Sequence, residues 1–208
     1  MKNLFFLFLT LASVISYSQS EEIDSLKIED KSKLISLGAK IGIPNLASIN
    51  GEIVLPILDY HFAPYIDYGA FNLEIEDTES ELNYSEYGIN FYFSNKGKGF
   101  YAGAGISQLD SELTFNNLTF EDNGVSQIGS AKTNLDINTL NLKLGFKTGG
   151  PIYFRFEIGY GMGSIPESID FIATSNGITE YFSEDVPAIP GLNSGGLLIS
   201  NFGFGLSF

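Results

Sequence analysis

From Ile35 onward, large apolar residues take turns with small or polar ones, and the period is two. Ile35, Leu37, Ala39, Ile41 and Ile43 alternate with Ser36, Gly38, Lys40 and Gly42. Phe202, Phe204, Leu206 and Phe208 alternate with Asn201, Gly203, Gly205 and Ser207. Successive side chains of a strand point to opposite faces, so this spacing predicts strands and not helices. The pattern recurs at 52–57, 66–71, 86–93, 100–107, 139–147 and 152–161, which brings the predicted strands to eight.

One face of these segments is large and apolar. The other holds glycines and the charges Lys40, Glu52, Asp67, Glu86, Lys143, Lys147, Arg155 and Glu157. Charges inside and apolar groups outside suit a barrel surrounded by lipid. The links sort in the same sense. Those at 59–64, 94–99 and 148–151 are tight and rich in Gly, Asn or Pro, as turns require. Those at 76–81, 115–132 and 165–195 are longer and acidic, and 45–50 is a short exception. If the first strand runs outward, every tight turn falls on the periplasmic side. Pro56 is the weak point, because proline cannot donate to a ladder and belongs at a bulge or a strand end. Segments 168–173 and 178–183 flank Asn176-Gly177, a hairpin signal. Leu113–Phe115 and Asn134–Ile137 continue strands five and six, so sheet should protrude above the membrane. The expected fold is an all-β, eight-stranded antiparallel transmembrane barrel with short periplasmic turns and longer acidic extracellular loops.

Composition narrows the class. Residues 1–18 read as a signal peptide: Lys2, an apolar run from Leu4 to Ile15, then Ser16-Tyr17-Ser18 before the expected cleavage. The run is shorter than the roughly 20 residues of a spanning helix. Residues 19–33 form a charged periplasmic lead-in, and 34–208 the barrel. The chain has no cysteine, so disulfide and thiolate chemistry are excluded. Hydrophobic residues make up 44%, aromatics 14%, and 23 residues are glycine, which favours β structure over helix. The net charge of −14 leaves no basic patch for nucleic acid.

Together these features resemble the small outer-membrane β-barrel proteins of the OmpA/OmpX type. The resemblance covers about residues 34–208 and rests on architecture and the terminal aromatic strand. In that family the terminal aromatic and its alternating neighbours form the signal read by the barrel-assembly machinery. The resemblance assigns that role to Phe202, Phe204, Leu206 and Phe208. It implies outer-membrane lipid and the assembly machinery as partners, and a monomer. The family's periplasmic peptidoglycan-binding domain has no counterpart in 34–208, and Pro56 and the short 45–50 link depart from the pattern.

The inward charges are the first candidate site. Eight staves leave an interior just wide enough for side chains, so a salt-bridged, plugged core is expected there; an ion or solute path is the alternative. Gly159-Tyr160-Gly161-Met162-Gly163 lacks the spacing of a dinucleotide loop and no helix follows it. Some small outer-membrane barrels are lipid-modifying enzymes, and their chemistry needs a base beside a nucleophile near the outer rim. The lone His61 falls on a predicted periplasmic turn, so no catalytic residue is assigned. A soluble lipocalin-like carrier would require the opposite facing of apolar and charged groups. The acidic sets Glu76, Asp77, Glu79, Glu81; Asp110, Glu112, Glu121, Asp122; and Glu167, Asp170, Glu180, Glu184, Asp185 could offer oxygens to a divalent cation. Their spacing matches no calcium loop, so neither metal nor cofactor is expected. Tyr60, Tyr65, Tyr101 and Tyr153 lie near strand ends and are expected to form an interfacial belt. Deleting Phe208 should slow membrane assembly more than it destabilises the assembled barrel. Pulse-chase assembly beside urea unfolding separates the two, and normal insertion of the truncated chain would count against the signal role.

Overall fold

The computed structural model describes residues 33–94, 96–122, 125–175, 178–186 and 191–208. The expected signal peptide, nearly all of the lead-in and the Asn176-Gly177 turn lie outside the described residues. Eleven strands form one antiparallel sheet among those residues. They are β1 (Ile35–Ile43), β2 (Leu46–Ile53), β3 (Phe62–Ile75), β4 (Thr78–Tyr92), β5 (Gly99–Asp122), β6 (Val125–Lys147), β7 (Ile152–Met162), β8 (Ser168–Ser175), β9 (Ile178–Asp185), β10 (Leu192–Asn193) and β11 (Gly196–Ser207). Staves β1 to β7 pair in succession, β7 pairs β11, and β11 returns to β1, so eight strands close a barrel. The seam runs from Ser36 opposite Ser207 to Ile43 opposite Ser200. Phe208 N–H extends it by donating to the Ile35 carbonyl at 2.8 Å. Closure leaves the barrel with no unpaired edge.

The strands are strongly staggered. Ser200, Ile158, Leu144, Ala102, Phe91 and Phe62 follow one another across β11, β7, β6, β5, β4 and β3. Phe62 then accepts from Leu55, and the neighbouring Val54 donates to Leu34 at the start of β1. Yet Ser200 also faces Ile43 at the far end of β1. One circuit therefore slips by about the length of a stave. Such a slip goes with strands tilted roughly 35–45° to the barrel axis.

The outward face around the barrel is apolar. Leu37, Ile41, Ile66, Ile89, Leu142, Phe156 and Phe204 are 40–57% exposed, and a continuous belt of this kind is unsuited to water. Tyr68, Tyr87 and Tyr160 edge the belt at one end, and Phe93, Phe100, Phe146 and Phe208 at the other, which carries the β2–β3, β4–β5 and β6–β7 turns.

Beyond the tyrosines four staves continue. β5 has 24 residues and β6 has 23, against the roughly 9–11 that a tilted spanning strand needs. A bulge between Phe115 and Leu118, with Asn117 at φ 56°, interrupts the long ladder. The β8–β9 hairpin adds to β6, with Ser130 opposite Thr174 and Lys132 opposite Ile172. In this extension the two faces exchange character. Phe71, Leu82, Leu113 and Leu135 share the face that lower down carries Asp67, Glu86, Gly105 and Lys143, whereas Glu74, Glu81, Asp110 and Asp136 share the face of Ile66, Tyr87, Ile106 and Leu140.

Several sequence expectations are corrected. The second strand is Leu46–Ile53, not 52–57, and the outer link is only Pro44-Asn45. The signal in this stave is its inward set Ser48, Asn50 and Glu52, all buried; its outward set includes Ala47 and Gly51, too small to register as an apolar face. Pro56 falls in the following turn, where Leu58, Asp59 and Tyr60 all have positive φ. Pro64 lies inside β3 and not in a turn. Most of 76–81 and 115–132 is strand, because cross-strand pairing continues past the belt through residues whose apolar face has swapped sides. Since β7 and β11 pair from Ile152 opposite Leu206 to Met162 opposite Gly196, the hairpin is not part of the closure. Replacing 166–190 by a short turn should leave a folded barrel, seen as an unchanged heat-modifiable band on electrophoresis. Loss of that band would make the hairpin part of the barrel's stability.

Candidate functional site

The alternation that turns large apolar groups outward turns every second polar group inward, and closure brings the charges of six staves together. Lys40 on β1, Glu52 on β2, Asp67 on β3, Glu86 on β4, Lys143 and Lys147 on β6, and Arg155 and Glu157 on β7 are all at most 3% exposed. Four cations meet four carboxylates. β5 and β11 supply room instead, through Gly103, Gly105, Gly203 and Gly205. A Cβ on Gly203 would lie 3.1 Å from Lys40 Cγ, and one on Gly105 would lie 2.4 Å from Tyr65 Oη.

Two carboxylates are hubs. Lys40 Nζ lies 2.9 Å from Glu157 and 2.8 Å from Asp67, and Lys143 Nζ and Arg155 Nη1 approach Glu157 at 3.7 and 3.9 Å. Glu52 receives Lys147 and Arg155, each at 2.7 Å. Arg155 thus spans both hubs, and its Nη1 also donates to Asn50 at 3.2 Å. Glu86 pairs with Lys143 at 2.9 Å. Lys147 donates onward to Ser36, which touches Ser207 at 3.0 Å, so the network reaches the β1–β11 seam.

Tyrosines complete the carboxylates. Tyr101 donates to Glu157 at 2.6 Å, Tyr92 to Glu52 at 2.9 Å, and Tyr65 and Tyr84 both to Glu86 at 2.7 Å. Their rings face the cations as well: Lys143 Nζ is 4.4 Å from the Tyr65 centroid and Lys147 Nζ 4.7 Å from that of Tyr153. This corrects the expected belt. Tyr65 is 4% exposed, Tyr101 0% and Tyr153 1%. The parity was readable: Tyr101 shares a face with Gly103, and Tyr153 with Arg155. Tyr60 is half-buried and packs against the apolar cluster at the turn end. Tyr84 and Tyr92 were missed, although they share faces with Glu86 and Asn90.

The charged layer lies between two apolar ones. At the turn end Val54, Ala63, Tyr92 and Tyr101 cluster, with Leu34 and Tyr60 packed on them. At the protruding end Ile137, Ile165, Leu197 and Ile199 do the same, with Leu109, Leu135 and Leu192. The charges between them are buried, which strengthens each pairing and makes a lost partner costly.

No family model matches this chain, and no curated protein sequence does. Two solved structures resemble it. They are CarO and CarO2 of Acinetobacter baumannii, at 14% and 15% identity, each with a TM-score of 0.45. Each alignment covers 84% of this chain, and 98% and 99% of the respective neighbour.

The other candidates lie elsewhere. His61, at the turn end, donates from Nδ1 to the Tyr92 carbonyl and stacks on Phe91 at 5.4 Å. Most of the acidic residues of β3 to β6 line the outer face of the protruding sheet, where Glu81 faces Glu112 and Asp110 faces Asp136, whereas Glu180 and Glu184 on β9 share the face of Ala173 and Phe182. The side chains of Glu121 and Asp122 lie outside the described set. No three His, Cys, Asp or Glu side chains among the described residues come close enough to hold a metal ion. Phe202, Phe204 and Leu206 belong to the outward belt, with Phe202 stacked on Phe154 at 6.2 Å. Glu157 serves three cations, so Glu157→Gln should cost about 3–5 kcal/mol in urea unfolding, the usual scale for breaking a buried pair. Glu112→Gln, which breaks the exposed Lys132 pair at 3.4 Å, should cost under about 1 kcal/mol.

Proposed function

We propose that this chain is an outer-membrane barrel whose interior is closed by its own side chains, and that it serves as a structural and surface-contact protein. The observation that carries the reading is the balanced charge layer with an apolar cluster at each end. An ion crossing the barrel would have to separate pairs already made at 2.7–2.9 Å and leave buried charges unmatched. The apolar belt, edged by tyrosines at one end and phenylalanines at the other, supports placement in a bilayer of a Gram-negative-type cell. The signal-peptide pattern of residues 1–18 supports export across the inner membrane. The outward aromatic face of Phe202, Phe204, Leu206 and Phe208 is assigned to recognition by the barrel-assembly machinery, and the closed, self-paired staves favour a monomer.

What the barrel presents is the protruding sheet. Its acidic outer face and apolar inner face give two surfaces of opposite chemistry for contacts outside the cell. Hydrolytic chemistry finds no support at the rim, since the single histidine is at the turn end with its ring committed to Tyr92 and Phe91. Single-channel recording in planar bilayers tests the reading. The closed interior predicts no steady openings, and large, stable currents from the wild-type protein would establish the pore instead. Membrane fractionation tests the location, which a wholly soluble protein would overturn.

A further inference from the structure

The protruding sheet ends on an open strand. Among the described residues β9 pairs only with β8, in continuous register from Asp185 opposite Ser168 to Ile178 opposite Ser175. Its other side is an edge, where alternate residues direct their N–H and C=O groups away from the sheet. Natural edges are blunted by lysine, by proline or by a bulge. Residues 168–185 include no proline, lysine or arginine, and the β8–β9 ladder runs without a bulge. Residues 179–185 are exposed on both faces, Tyr181 at 79% and Phe182 at 37%. Such an edge is a template for one more strand.

The inner face of the hairpin defines the sequence that fits. The Phe115 and Phe171 ring centres lie 6.1 Å apart, and Phe171 stacks on Phe182 at 5.1 Å. This row of rings crosses the sheet and stops at β9. Glu180 and Glu184 share the face of Phe182, one on each side of it along the strand. Their neighbours on β8 are Ala173 and Ile169, which supply no countercharge. A strand laid against β9 therefore meets carboxylate, ring and carboxylate at positions two residues apart. A cation, an apolar group and a cation at the same spacing match it, because opposite charges and apolar pairs across a ladder stabilise and like charges oppose. A second copy of the hairpin would add Glu180, Glu184 and Asp185 and no cation. The sheet's other edge, β3 beyond Tyr68, shows Phe71, Leu73 and Ile75 on its inner face and no carboxylate, so it does not select for charge. We propose that the β9 edge binds an extended, cationic segment of a partner protein, which adds as a further strand with lysine or arginine opposite Glu180 and Glu184 and an apolar residue against Phe182. The assignment rests on the surface-contact reading above and supplies its class of partner.

The probe is a labelled, terminally blocked heptapeptide, Thr-Lys-Thr-Phe-Thr-Lys-Thr, titrated by fluorescence anisotropy against the full-length exported protein in phosphatidylcholine nanodiscs. The wild type should bind it, less tightly as salt rises. E180Q/E184Q should bind about tenfold less tightly at low salt and lose the salt dependence. Phe182→Ala should weaken binding by about tenfold as well. An analogue with glutamate for both lysines should not bind, nor should one N-methylated at every amide, which has no ladder donors. Replacing 166–190 by the short turn should abolish binding while the heat-modifiable band remains. Equal binding of either analogue, unchanged binding by a substituted or hairpin-less protein, or no binding by the inserted wild type would overturn the proposal and leave the closed-barrel and membrane reading intact. Hairpin-dependent dimers in sedimentation would overturn it too, by making a second copy the occupant. Failure of the wild type to enter nanodiscs would overturn both.

Discussion

Everything in this molecule follows from having to fill a closed eight-stave barrel. The registers leave no stave unpaired, so the backbone is satisfied without solvent. The interior that remains is narrow, and the side chains that enter it leave the water. Removing eight charges from water costs several kcal/mol for each. The cost is tolerable only because four cations and four carboxylates meet at short range, with tyrosine hydroxyls donating to the same paired glutamates. Pairing of this kind is unforgiving of register. A slip by one residue would turn the charges out and the aromatics in. The network therefore fixes which residue stands opposite which, besides holding the staves together.

The glycines belong to the same constraint. Gly88 faces Gly105, and Gly38 faces Gly205. A Cβ on Gly88 would meet the Tyr65 hydroxyl at 2.7 Å, and one on Gly38 the Tyr153 hydroxyl at 2.4 Å. Each pair opens a gap where an inward tyrosine can cross the lumen. Long polar side chains and paired glycines are thus two halves of one packing solution. The staves without inward charges, β5 and β11, carry consecutive inward glycines, and β7 follows its inward Arg155 and Glu157 with Gly159 and Gly161, the first against Lys143.

Much of this was legible from alternation alone. The parity of Lys40, Asp67, Glu86, Lys143, Arg155 and Glu157 placed all of them inside, and the terminal strand was read as a stave from Phe202 and its neighbours. Partners were not legible. Lys40 meets Glu157 across 117 positions of sequence, and only the barrel's stagger decides that. The tyrosines mislead for a different reason: an aromatic near a strand end looks like an interfacial anchor, whereas the parity of Tyr65, Tyr101 and Tyr153 turns them inward. β2 was displaced because Ala47 and Gly51 make a faint outward face, while Ile53, Leu55 and Ile57 prolong the apparent alternation into a turn.

The protruding sheet was under-read for a physical reason that bears on function. β3 to β6 cross a boundary near Tyr68, Tyr87, Ile106 and Leu140, and there the apolar face changes sides while the backbone ladder continues. Hydrophobic patterning locates strands by the face buried from water. In the proposed setting lipid covers the outer face below the boundary, whereas above it only the inner face can be shielded from water. The strands therefore keep one parity for pairing and take two for solvation. A segment such as 76–81, acidic on its outer face and small on its inner one, looks like a loop by composition and is held as strand by its neighbours. The inversion also separates two tasks. Below it, buried cations and carboxylates are matched to one another across the staves. Above it side chains are released from that demand, and Phe71, Leu82, Leu113 and Phe115 form an apolar surface behind an acidic one. On the proposed reading, that freedom makes the sheet, and not the lumen, the surface offered to a partner.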